Sequence, residues 1–141
     1  MPDPDLKRPV GLTKDAGWQI GVRRTVAMSV EDAWDLLFSD GGLKVWLGDP
    51  VNITFAKGEP YQLKDGTTGE IRVFKPLSHI RLTFDPPGAV RTSTIQVRVL
   101  ANDGRCTIAF HQEHLSSAAE RGQRRRFFQQ AMDQLMELAN Q

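Results

Sequence analysis

Cys106-Thr107-Ile108-Ala109-Phe110-His111-Gln112-Glu113-His114 alternates with period two, and shortly afterwards the chain changes to a period of 3.6 that lasts to Leu138. A change from 2 to 3.6 marks a strand feeding a helix. Ser116 or Ser117 can cap that helix, with Glu120 in its early turns, and Phe128, Met132 or Ala131, Leu135, and Leu138 or Ala139 recur at steps of three and four. Such a stripe needs an apolar surface to lie on, and the residues upstream must supply it.

They do so as short alternating runs. Between Val51 and Leu100 the breakpoints Lys57-Gly58, Lys64-Asp65-Gly66, Lys75-Pro76 and Pro86-Pro87-Gly88 separate segments with one apolar face, and Asn102-Asp103-Gly104 follows them. Ile71 and Val73 are expected to share a face, as are Ile80, Leu82 and Phe84, and Ile95, Val97 and Val99. This predicts an antiparallel meander in which Asn102-Asp103-Gly104 pairs the strand through Val99 with the strand through Ile108. Nearer the start, Trp18, Ile20, Val22, Val26 and Met28 alternate with polar residues and glycine as a first strand, with Arg24 on the buried parity. Ser29-Val30-Glu31-Asp32 predicts a capped helix over residues 30–38, which Asp40-Gly41-Gly42 should break. Leu43, Trp46 and Leu47 fit a second short helix stopped by Gly48 and Pro50. Residues 1–16 read as a loose arm, and residues 17–141 as a single domain. The class is therefore α+β, a curved antiparallel sheet with two short helices and one long C-terminal helix.

Composition narrows the function. With 141 residues, 40% of them hydrophobic, the chain is sized for one core. Eighteen Lys and Arg against seventeen Asp and Glu leave a net charge of +1, so no global field recruits nucleic acid. A single cysteine, Cys106, precludes an internal disulfide. Met1-Pro2-Asp3-Pro4-Asp5 lacks the pattern of a signal peptide and no apolar run is long, so a cytoplasmic protein without membrane insertion is expected.

The order of elements, with Trp46-Leu47-Gly48 after the second helix, Gly69-Glu70-Ile71-Arg72-Val73-Phe74-Lys75-Pro76 in the meander and Phe110-His111-Gln112-Glu113-His114-Leu115 before the last helix, resembles the SRPBCC or START-like superfamily. Within it, the chain is most similar to lone-domain bacterial proteins grouped with the activator of the ninety-kilodalton heat-shock ATPase. The likeness spans roughly residues 17–140. It implies a helix-grip fold, in which a long helix rests across a bent sheet over a hydrophobic cavity. Many relatives carry a tryptophan near the start of the final helix, a position that Phe127 or Phe128 matches here.

A cavity of that kind would be lined by Leu82, Phe84, Ile95, Val97, Ile108 and Phe110 from the sheet and Phe128, Met132 and Leu135 from the helix. The same periodicity also describes a filled core. Gln112, His114 and Arg24 fall on the buried parity and are expected at its polar rim, where they could orient a carboxylate, carbonyl or phenol, unless they simply reach water. Trp46 is an anchor for the short helices with a secondary role in gating. His111 and His114 are three apart on a strand and face opposite sides, which argues against a metal site, whereas His111 and Glu113 share a face and could pair. Arg121, Arg124, Arg125 and Arg126 form the dense basic cluster and read as a solvated helix surface open to an acidic partner. No nucleophile lies in an activating motif, so no catalytic residue is assigned and no cofactor is expected. The leading expectation is binding of a hydrophobic or aromatic small molecule, lipids included. The alternatives are a protein-interaction module like the ATPase activator, and a cyclase or hydrolase in which His114, Gln112 or Arg24 polarises a carbonyl. Oligomeric state is left open.

Overall fold

The computed structural model describes Leu12, Thr13 and residues 17–141. Eight strands occur among them: β1 (Leu12–Thr13), β2 (Gly17–Val26), β3 (Pro50–Asn52), β4 (Pro60–Leu63), β5 (Thr68–Lys75), β6 (His79–Phe84), β7 (Ser93–Asn102) and β8 (Arg105–Leu115). They form one antiparallel sheet in the order β1-β2-β8-β7-β6-β5-β4-β3. Three helices, α1 (Val30–Phe38), α2 (Asp40–Trp46) and α3 (Ala118–Ala139), complete the fold. The core lies between the sheet's inner face and α3, with α1 and α2 closing one end.

The hairpin that joins β7 to β8 follows its sequence signal. Asp103 and Gly104 both take positive φ, 47° and 80°, as a two-residue primed turn requires, and Val99 lies opposite Ile108. Alternation along β7 then buries Ser93, Ile95, Val97 and Val99 on one face. Of the arm expected over residues 1–16, Leu12 and Thr13 instead pair with Trp18 and Gly17; the remainder lies outside the described residues.

Two expectations are corrected. Asp40-Gly41-Gly42 does not break helical structure but opens α2. Ser39 ends α1, where its hydroxyl donates to the Leu36 carbonyl (2.7 Å), and caps α2 by accepting from the Gly42 N–H (3.1 Å). A Cβ on Gly42 would sit 1.8 Å from the Leu36 oxygen, so only glycine fits this corner. Val73 does not share the inner face with Ile71. The β5–β6 register shifts between them, and this bulge turns Val73 outward (36% exposed) while Phe74 takes the inner place against Phe38 and Phe55. Trp34 joins that aromatic group through Phe38, at 4.5 Å between ring centroids.

Candidate functional site

The C-terminal helix is where the sheet and its polar groups meet. Ser117 caps it, accepting from the Glu120 N–H at 3.1 Å, and the Glu120 carboxylate reaches back to the Ser116 N–H and hydroxyl, each at 3.2 Å. This reciprocal arrangement satisfies groups that a helix start leaves open. One turn further, Arg124 lies four residues from both Glu120 and Phe128, which points it at the sheet.

There Arg124 starts a directed chain of hydrogen bonds. Its Nε donates to Gln112 Oε1 (2.7 Å), Gln112 Nε2 donates to Ser93 Oγ (2.8 Å), and Ser93 Oγ donates to the Phe84 carbonyl (3.2 Å). Each group donates onward, which also fixes the orientation of the Gln112 amide. Gln112 is 1% exposed, so this network is internal. Aromatic rings hold the guanidinium: its central carbon is 4.2 Å from the Phe127 centroid, 4.7 Å from Phe84 and 5.1 Å from Phe128. Part of the Arg124 side chain meets solvent, yet its Nη2 is enclosed and has no hydrogen-bond partner. Burial lowers the Arg124 pKa to about 10, opposed by the charge of Glu120 and by Tyr61. The group remains a cation at neutral pH. Burial likewise pushes the Tyr61 hydroxyl up, against the pull of Arg124, and that hydroxyl donates to the Thr83 carbonyl.

Beside this network lies a cavity of about 240 Å³. Thr67, Phe84, Ser93, Gln112, Leu115 and Arg124 contribute to its wall, together with the charged side chains of Asp65, Arg91 and Glu120. The Asp65 carboxyl is held below its usual range, first by the Thr67 N–H at 2.8 Å and next by the nearby Thr67 hydroxyl. That hydroxyl completes no hydrogen bond of good geometry.

Of the residues expected at a pocket, Phe84 and Gln112 line this cavity. Leu82, Ile95, Val97, Ile108, Phe110, Phe128, Met132 and Leu135 are buried in the hydrophobic core, where Phe110 and Phe128 stack with centroids 4.8 Å apart. Trp46 is fully buried, its Nε1 donating to the Leu37 carbonyl at 2.8 Å, so it anchors α2 to α1. Arg24 is placed elsewhere: its side chain is 43% exposed, pairs with the exposed Asp133 of α3 at 2.7 Å and does not line this cavity. His114 departs from the expected parity as well. The β2–β8 register shifts between Trp18 and Ile20, His114 takes φ 64°, and Leu115 occupies the inward position. His114 Nδ1 lies instead 3.4 Å from Arg91 Nη2. His111 contacts Gln19 (3.0 Å), and Glu113 pairs with Arg81, so the expected His111–Glu113 pair does not form. Among the described residues, no three His, Cys, Asp or Glu side chains gather as a metal site would require.

Arg124 is the site residue that the sequence reading misplaced, as part of a solvated basic run. Its neighbour Arg121 also turns inward, donating from Nε to the Gln19 carbonyl at 2.9 Å. The available signal was the i, i+4 step from Arg124 to Phe128, which puts Arg124 on the buried stripe.

A long helix across an antiparallel sheet, with two short helices at one end, is the helix-grip fold, α+β in class. Solved structures share it. CalU16 from Micromonospora echinospora superposes with a TM-score of 0.75 at 16% identity, over 89% of this chain and 79% of that one. DynU16, from the dynemicin biosynthetic locus, gives 0.74 at 12% identity; the match covers 86% of this chain but only 47% of DynU16. The Aha1 dimer from Colwellia psychrerythraea gives 0.57 at 16% identity, over 71% and 78%. No family model and no curated protein sequence matches the chain. No helix among the described residues is long and apolar enough to cross a membrane.

Proposed function

We propose that the protein binds a small apolar or aromatic molecule with a polar end, held in the cavity between β6 to β8 and the first turns of α3. The observation that carries this reading is a cavity whose apolar wall, Phe84 and Leu115, adjoins an internal polar network of Arg124, Gln112 and Ser93. Ligand pockets combine these features, an apolar lining with few fixed polar groups. At about 240 Å³ the space falls just under the roughly 300 to 1,000 Å³ usual for such pockets, which suits a compact ligand or one end of a longer one. The likeness to DynU16 supports small-molecule binding through the biosynthetic locus named for that protein. No chemical step is part of this reading.

Thermal unfolding of the protein with fatty acids, flavonoids and polyketide-like aromatics tests it. A ligand at about one hundred times its Kd stabilises by about 2.7 kcal/mol and raises Tm measurably. Ser93→Phe, which fills the cavity, should abolish that rise. The reading fails if no compound raises Tm, or if Ser93→Phe folds and leaves the response unchanged.

Protein contact is the second reading, favoured by the likeness to the Aha1 dimer. Arg121 and Arg124 are committed inward, so Arg125 and Arg126 remain as the exposed part of the basic cluster for such a partner. A monomer in solution that also fails to retain acidic proteins at low salt counts against it.

A further inference from the structure

We infer that Arg124 is the anchor for a carboxylate on the cavity's ligand, which makes the ligand class a compact organic acid with an aromatic or short acyl body. This rests on the cavity reading above and goes beyond it by fixing the charge of the ligand's polar end. Several hydrogen-bonding groups of the wall are already engaged. Glu120 accepts from the Ser116 N–H and hydroxyl, and Asp65 accepts from the Thr67 N–H. Gln112 and Ser93 each donate and accept within the internal chain. Two buried groups of the wall remain unmatched, the neutral Thr67 hydroxyl and a donor on a cation, the enclosed Arg124 Nη2.

A buried cation without a bonded anion carries a desolvation cost that an acceptor offsets, and a carboxylate offsets most because the bond is charge-assisted and matches the guanidinium fork. Among the described residues no carboxylate forms a salt bridge with Arg124, although Glu120 is near enough to favour its charge. The guanidinium is also held in place, by its bond to Gln112 on one side and the rings of Phe84 and Phe127 around it, so little side-chain freedom is lost when an anion arrives. Phe84 lines the cavity beside it and offers the ligand's apolar body a surface continuous with the anchor. A cationic ligand would instead meet this charge, with both wall carboxylates already accepting hydrogen bonds.

The experiment compares two ligands of one shape on the full chain, 2-naphthoate and 2-naphthamide, titrated by calorimetry. The expected result is naphthoate binding at least about tenfold tighter than naphthamide. Arg124→Met keeps the unbranched stem and should erase that advantage, with naphthoate losing at least about tenfold more affinity than naphthamide. Arg124→Lys, which keeps the charge without the fork, should retain part of it. A measurement on the unaltered protein stands apart from the folding of any variant: the Arg124 Nε–H resonance should shift more with saturating naphthoate than with saturating naphthamide. Equal affinities, a naphthoate advantage that persists in folded Arg124→Met, or an Arg124 resonance that shifts no more with naphthoate than with naphthamide overturns the carboxylate assignment alone. If neither compound binds, and the wider ligand panel also fails, the cavity reading falls with it.

Discussion

Replacing Phe128 by alanine tests whether the space under the long helix is packed. Phe128 is fully buried, stacks on Phe110 at 4.8 Å and meets Phe127 edge-on at 5.2 Å. Truncating a buried phenylalanine to alanine costs about 3–5 kcal/mol, and a lost aromatic pair about 0.5–1.5 kcal/mol. Because ring partners hold Phe128 from two directions and the Arg124 guanidinium lies 5.1 Å from its centroid, the loss should fall near the upper end, about 5 kcal/mol. Against a usual total of about 5–15 kcal/mol, that leaves the variant marginal. Urea unfolding followed by tryptophan fluorescence, to which buried Trp34 and Trp46 contribute, reads the change as a lower midpoint with an unchanged slope. Val51→Ala, at a site 60% exposed, serves as the control and should move stability by less than about 0.5 kcal/mol. A loss below about 1.5 kcal/mol for Phe128→Ala would refute the reasoning, because a ring so easily removed is not tightly packed.

Three further outcomes follow from other parts of the molecule. Gly69→Ala should lower stability by about 3 kcal/mol or more in the same assay, since its Cβ would stand 2.1 Å from the Thr83 oxygen and 2.4 Å from the Tyr61 ring; a neutral result would contradict that crowding. Cys106 is buried, and burial pushes its thiol pKa up, so iodoacetamide should leave the native protein unlabelled and label it fully in urea; native labelling at a free-thiol rate counts against this. Burial holds the His111 pKa below the ordinary 6.5, with Glu113 opposing and Arg81 adding to the effect. The unfolded chain therefore takes up a proton before the native ring does, so stability is complete above pH 6.5 and declines as the pH falls toward the native value. His111→Gln should flatten that decline, leaving the part due to His79, whose pKa is also lowered, first by burial and next by Arg98 and Lys75; an unchanged slope would refute it.

The hairpin at Asp103 and Gly104 and the helix from Ala118 were legible because each depends on neighbours in sequence, a turn that needs positive φ and an apolar stripe of helical period. The two bulges were not. A period-two reading runs on through Val73 and His114, whereas the extra residue in each strand comes from the pairing with β6 or β2. Ser39 is similar: Asp40-Gly41-Gly42 looks like a breaker until one hydroxyl serves the end of one helix and the start of the next. Arg124 was hidden by composition. Counted with Arg125 and Arg126 it belongs to a charged run, but helical spacing assigns it to the face of Phe128, and tertiary contacts with Gln112 and the rings of Phe84, Phe127 and Phe128 make an internal arginine tolerable.

The placement of β2 beside β8 has a temporal meaning. Gly21 lies opposite His111, ninety residues further along, so the first long strand cannot meet its partner until most of the chain exists. During synthesis β2 waits with most of its backbone edge unsatisfied, while β4 to β7 can already zip together through local turns. Pairings across such separations close large loops and slow folding. The pairing of β2 with the far edge of β8 is then the late step that completes the sheet.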